Sequence, residues 1–78
     1  MKNYHVSEML STRGVYTGIW AFLGGCKANT YAEALHNVSP ICRHYDIVQG
    51  CPSITRPRAG VIVYEYENKK FCVEQIAS

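Results

Sequence analysis

The sequence predicts an α+β domain: an antiparallel five-stranded sheet with one short helix packed on one face, in the order β-β-α-β-β-β. Three observations predict it. Residues 61–66 and 70–76 are two strand-like runs joined by a short polar turn. Residues 4–10 and 15–23 form a second such pair around Arg13-Gly14. Between the two pairs, Thr30-Tyr31-Ala32-Glu33 carries a helix-start signature. Seventy-eight residues suffice for a single domain, taken as 1–78. The hydrophobic fraction is 47% and the charged fraction 18%, against about 25% charged in an average globular protein, so the composition is that of a folded domain.

Tyr4, Val6, Glu8 and Leu10 fall on one face of the first strand and His5, Ser7 and Met9 on the other, which suits a half-buried strand. Ser11-Thr12-Arg13-Gly14 is turn chemistry, with Gly14 free to take positive φ. In the second strand Val15, Thr17, Ile19, Ala21 and Leu23 alternate with Tyr16, Gly18, Trp20 and Phe22. Large groups on both faces indicate a central strand, with Gly18 at a bulge or a close approach. Gly24-Gly25 is expected to end it.

Thr30 can then accept the amide of Glu33, and the Glu33 carboxylate can return to the amide of Thr30. Ala32, Leu35 and Val38 give an apolar stripe, with Ala34 beside it, over a helix spanning 31–38. Pro40 disfavours helical geometry at Ser39, so the helix ends there or a further turn restarts with Pro40 in its first position.

Residues 45–49 are expected to form a short edge strand. Residues 50–60, with Pro52 and Pro57, are expected to form a long irregular loop of the kind that often carries function. In the last hairpin a turn at Asn68-Lys69 sets Tyr66 opposite Phe71, Tyr64 opposite Val73 and Ile62 opposite Gln75. The other face then pairs Glu67 with Lys70 and Val63 with Glu74.

The formal charge of +2 is a weak basic bias, less than a dedicated DNA binder usually shows. No apolar run approaches the roughly 20 residues needed to span a bilayer, so no membrane partner is expected. The N-terminal residues lack a signal-peptide pattern, which makes a reducing cytoplasm the default compartment. The four cysteines, Cys26, Cys42, Cys51 and Cys72, then read first as core residues. Zinc held by Cys42, His44 and Cys51 with Cys26 or Cys72 would suit the residue types. The cysteines lack the close-pair spacing of structural zinc sites, and no metal or other cofactor is expected. A cysteine nucleophile with His5, His36 or His44 has no nucleophile elbow or oxyanion loop to support it. The chain is therefore read as a non-enzyme. Gly24-Gly25 could offer amides to an anion, but Glu33 occupies that helix start, and a connector is the simpler role.

The basic residues form the more informative set. Arg56-Pro57-Arg58 stands in the long loop, and Lys69-Lys70 stands at the hairpin tip. Prolines stiffen a loop, and arginine pairs with phosphate or carboxylate in bidentate geometry. The same charges also serve to solubilise a loop and protect a sheet edge. Nine aromatic residues exceed what one short helix can cover, so the sheet face away from it is expected to expose some of them as a contact surface.

The first strand, Tyr4-His5-Val6-Ser7-Glu8, the capped helix, Thr30-Tyr31-Ala32-Glu33-Ala34-Leu35, and the terminal hairpin from Gly60 to Val73 together resemble the small anti-CRISPR proteins of type I systems. Those are accessory proteins of phages and mobile elements built as a five-stranded antiparallel sheet with one helix. The likeness covers most of the chain, and the proline-containing loop departs from it. It implies inhibition by docking on a CRISPR surveillance complex of the host. A DNA-mimicking surface would be acidic and this chain is slightly basic, so the inhibition implied is either steric blocking, through aromatic and acidic contacts such as Glu65, Glu67 and Glu74, or perturbed DNA engagement through Arg56, Arg58 and Lys69.

The binding residues expected are Arg56, Arg58, Tyr64, Glu65, Tyr66, Glu67, Lys69 and Lys70. The alternative is a small nucleic-acid-binding module that uses the Arg56/Arg58 loop and the Lys69/Lys70 tip. An edge strand could also pair two copies into a homodimer.

Overall fold

Arg13 and Gly14 both take positive φ, 52° and 79°. This is the pattern of a two-residue type I′ turn, whose twist matches that of the strands it joins. It folds β1 (Lys2–Thr12) back against β2 (Val15–Ala28), with Thr12 opposite Val15. The computed structural model describes residues 1–76; Ala77 and Ser78 of the expected domain lie outside the described residues. After β2 come α1 (Tyr31–Val38), α2 (Ile41–Gln49), β3 (Ser53–Arg58), β4 (Val61–Glu65) and β5 (Lys70–Ile76). The five strands form one antiparallel sheet in the order β2-β1-β5-β4-β3. The α+β class and the five-stranded antiparallel sheet are as expected. The element order differs, with two helices in place of one.

Thr30 caps α1 as its sequence indicates: its hydroxyl oxygen accepts from the Glu33 amide at 3.1 Å. The inward stripe is rotated from the expected one. Ala34 and Leu35 are buried, Tyr31 and Val38 pack against the core, and Ala32 is exposed. Positions 31, 34, 35 and 38 are the i, i+3, i+4, i+7 spacing of a single helix face. Ser39 then takes φ −127° and ψ 81°, outside the helical region that a following proline disfavours.

Residues 45–49 are not a strand. Pro40, at φ −59° and ψ −24°, starts α2, so the chain restarts a helix rather than extending. The inward face of α2 is Cys42, Tyr45, Asp46 and Gln49, again at helical spacing. Cys42 is buried and Tyr45 packs on the core. Asp46 accepts the Tyr66 hydroxyl at 2.7 Å, and Gln49 Oε1 accepts the Glu67 amide at 3.1 Å. Ile47 and Val48 point to solvent at 83% and 65% exposure. A half-polar inner face, with Ile47 and Val48 turned outward, departs from the usual pattern, so the β-branched pair imitated a strand. Gly50 ends α2 at φ 84°, a conformation that glycine adopts without penalty.

The expected loop at 50–60 contains β3, which supplies the fifth strand in place of residues 45–49. The β4–β5 register is Tyr64 opposite Phe71, Val63 opposite Cys72, Ile62 opposite Val73 and Glu65 opposite Lys70. This is two positions from the expected pairing, because the turn holds four residues rather than two and is closed by Tyr66 N–H donating to Lys69 O at 2.8 Å. A two-residue shift conserves the faces, so Ile62, Tyr64, Phe71 and Val73 still share one face.

β2 also differs from expectation. It continues through Gly24-Gly25 to Ala28 and lies at the edge of the sheet, not at its centre. A Cβ on Gly24 would stand 3.4 Å from the Val38 side chain, so the missing side chain lets α1 approach the strand. Gly18, at φ 84°, sits in a bulge against β1, as its place in the strand suggests. Thr17 Oγ1 donates to Leu10 O there at 3.0 Å and accepts from the Ile19 amide at 3.3 Å.

The core lies between one sheet face and the two helices. Tyr4, Val6, Ile62, Tyr64, Tyr66, Phe71 and Val73 meet Ala34, Leu35 and Cys42. Tyr4 meets Tyr31 edge-on at 5.0 Å between ring centroids. Burying side chains of this size is worth roughly 1.5–3 kcal/mol each and drives the assembly.

Candidate functional site

Both helices cover one side of the sheet, so the other side faces solvent. Strand alternation places on this open face His5, Ser7 and Met9 of β1, Tyr16, Trp20 and Phe22 of β2, Lys70, Cys72 and Glu74 of β5, Val61, Val63 and Glu65 of β4, and Thr55 of β3. A groove of about 600 Å³ runs over it. Trp20 walls one end, Pro57 and Arg58 the other, and Ser7, Val63 and Cys72 line it between them. Trp20 is 40% and Phe22 63% exposed. The His5 and Phe22 rings meet edge-on at 5.1 Å. Gly25 permits this, since a Cβ there would lie 3.2 Å from His5 Cδ2. The surface therefore combines exposed aromatic groups with hydroxyl, thiol and charged groups, a composition suited to a protein contact.

Several charges on and near this face are paired internally. Arg58 donates to Glu74 Oε2 at 2.9 Å. The Lys70 ammonium sits 5.2 Å from the Tyr16 ring centroid, within cation–π range. Lys69 lies 3.3 Å from a Glu8 carboxylate oxygen. Burial raises the pKa of the Tyr16 hydroxyl; nearby Glu65 adds to the rise and Lys69 opposes it. Burial also raises the Cys72 thiol, with Glu74 adding to the rise and Arg58 opposing it. A raised thiol pKa leaves little thiolate at neutral pH, which argues against Cys72 as a nucleophile.

The expected binding residues are dispersed. Arg58, Glu65 and Lys70 line the groove. Arg56 is exposed on β3 close enough to Tyr64 for its charge to oppose the rise in that hydroxyl's pKa. Among the described residues it makes no ion pair. Glu67 is exposed in the β4–β5 turn, and Lys69 turns toward Glu8. Tyr64 and Tyr66 are buried under the helices, so they build the core and are not offered at the surface. Burial raises both hydroxyls above the ordinary tyrosine value, and for Tyr66 the hydrogen bond to Asp46 adds to the rise. The Arg56/Arg58 and Lys69/Lys70 pairs thus do not merge into one cationic patch.

Sequence reading did not single out Trp20 and Phe22 as site residues. Their signal was the i, i+2 aromatic spacing on β2, which the placement of that strand at the sheet centre turned into core.

A second polar constellation lies on the helix side. His36 Nε2 stands 2.9 Å from Asp46 Oδ2, while Asp46 Oδ1 accepts from Tyr66. A carboxylate oxygen only accepts, so the imidazole nitrogen is the donor. These three residues join α1, α2 and the β4–β5 turn, and they border a small cavity of about 230 Å³ with Leu35, Pro52 and Ile54. Among the described residues, no three His, Cys, Asp or Glu side chains converge as a metal site. The cysteines occupy different places: Cys42 is in the core, Cys26 packs against it, Cys72 lies on the open face and Cys51 is exposed after α2. No helix among the described residues is long and apolar enough to cross a membrane.

No protein-family model, curated protein or solved structure matches the chain.

Proposed function

We propose that this is a non-enzymatic binding protein that docks its open sheet face on a partner protein and blocks it sterically. The observation that carries the reading is the groove between Trp20 and Arg58, with Trp20 and Phe22 exposed beside it. Tryptophan is enriched among the residues that dominate binding energy, and a concave, mixed surface with an aromatic wall fits a protein contact. The resemblance to small anti-CRISPR proteins supplies the class of partner: a type I CRISPR surveillance complex of the host. Of that architecture the five strands carry over, whereas the single helix is replaced by two short helices.

The nucleic-acid alternative has less support. Arg58 and Lys69 pair with carboxylates and Lys70 with an aromatic ring, so of the four cations this reading assigns to phosphates three are already engaged within the molecule.

The test is a pull-down of tagged protein from a CRISPR-bearing host lysate, with and without nuclease, comparing wild type with Trp20→Ala. The proposal expects a surveillance complex to be recovered at a stoichiometric level after nuclease and to be lost with Trp20→Ala. Recovery that vanishes with nuclease would move the assignment to nucleic-acid binding. Recovery of no such complex would remove the partner class.

A further inference from the structure

The two edges of the sheet are unlike. β3, at one edge, is six residues long and carries Arg56, Pro57 and Arg58 beside a register shift. Charge, proline and a bulge are the usual protections of an edge strand. β2, at the other edge, is fourteen residues long, and Lys27 is its only charged residue. Val15, Ile19, Trp20, Phe22 and Leu23 are all exposed along it, and Ala28 is its only buried residue. A long, apolar, uncharged edge is a template for another strand.

We propose that the occupant of this edge is a second copy of the same chain, paired antiparallel through β2 about a two-fold axis at Ala21. The register follows from the irregularities in the strand. β2 departs from β1 between Phe22 and Gly24, and again between Tyr16 and Trp20. The regular stretch between them is Trp20-Ala21-Phe22, centred on Ala21. A two-fold axis there sets Trp20 across from the partner's Phe22 and Phe22 across from the partner's Trp20, with Ile19 across from the partner's Leu23.

Aromatic cross-strand pairs are among the favourable ones, and a small residue at the axis lets the backbones meet. An isologous contact must be self-complementary, and a neutral strand meets its own image without repulsion. The five exposed side chains present on the order of 500 Å² of apolar surface, against about 800 Å² per partner in a standard interface, and the strand backbone contributes more. The product is a ten-stranded sheet with both helical layers on one side and both grooves on the other. Trp20 and Phe22 lie on the open face and are shared between this seam and the proposed docking surface, so the test below reads oligomeric state and not partner capture.

The experiment is sedimentation equilibrium on wild type and Phe22→Lys, with circular dichroism melts of both. The expected result is a concentration-dependent dimer that Phe22→Lys weakens at least tenfold with an unchanged fold. Should that variant misfold, Ala21→Cys on a Cys51→Ser background gives a second reading. Antiparallel partners lie about 4.5–5.5 Å apart at Cα, within disulfide range, so mild oxidation should cross-link two chains. A monomer at all concentrations, or a dimer that resists both changes, would overturn the proposal.

Discussion

Tyr66 donates its hydroxyl hydrogen to Asp46 Oδ1 at 2.7 Å, and through this bond the turn after β4 holds the inner face of α2. His36 reaches the other oxygen of the same carboxylate from α1. One side chain therefore fastens both helices to the sheet, and Tyr66 is the member that lies in the core.

Tyr66→Phe removes the hydroxyl and keeps the ring. Hydrogen bonds to charged groups are worth about 1.5–3 kcal/mol, and the partial exposure of Asp46 trims this to about 1–2 kcal/mol. Urea denaturation should show that loss as a lower midpoint with an unchanged slope. A variant as stable as the parent would mean that α2 is held by packing alone.

High pH should destabilise the fold. Burial raises the hydroxyls of Tyr4, Tyr64 and Tyr66 and the thiol of Cys42 above their ordinary values of 10.0 and 9.0. Below those values both folded and unfolded chains hold these protons, and stability is complete. Above them the unfolded chain loses protons that the folded chain keeps, so stability falls from about pH 9 upward. Urea midpoints between pH 7 and 11 would follow it, with tyrosinate absorbance rising only as the chain unfolds. A flat profile to pH 11 would contradict the burial of these hydroxyls.

Thr30→Ala leaves the Glu33 amide without its hydroxyl acceptor. The expected cost is about 1 kcal/mol, and Thr30→Ser should recover most of it. Equal melting temperatures for the alanine and serine variants would show that the cap contributes nothing.

Leu35→Ala opens a cavity where α1 meets the sheet. Leu35 is 1% exposed, so the expected loss is about 2–5 kcal/mol, a large share of the stability of so small a domain. Trp20→Ala, by contrast, alters a side chain that is 40% exposed. It should cost about 1 kcal/mol or less in folding while abolishing partner capture. A large folding loss at Trp20 would place it among structural residues instead.

The elements legible in the sequence were those whose local chemistry and burial agree. The Thr30 cap, the Arg13-Gly14 turn and the strands around Tyr4 and Tyr64 are of this kind. Residues 45–49 were not legible, because α2 turns Asp46 and Gln49 inward and Ile47 and Val48 outward. Hydrophobic periodicity cannot register a helix whose inner face is held by hydrogen bonds. β3 was hidden by its proline and two arginines, which suit an edge strand as well as a loop. The position of β2 was misleading for the opposite reason: its apolar residues imply burial, yet the sheet order leaves it outside. Site residues followed these errors. Tyr64 and Tyr66 passed into the core because the two helices cover their side of the sheet, and Trp20 and Phe22 came to the surface.

The β1–β2 ribbon extends past the rest of the sheet. β5 accompanies β1 only from Asn3 to Glu8, so Met9 to Thr12 and the opposing Val15 to Trp20 have each other and no third strand. A lone two-stranded ribbon is marginal in water. Its amides will exchange with solvent by fraying, at rates set by local opening rather than by unfolding of the domain. The molecule thus has two tiers of rigidity, a firm base that carries most of the groove and a yielding tip that begins at its Trp20 wall. Arg13 stands at the apex of that tip, where trypsin would nick the native chain first and leave the base intact.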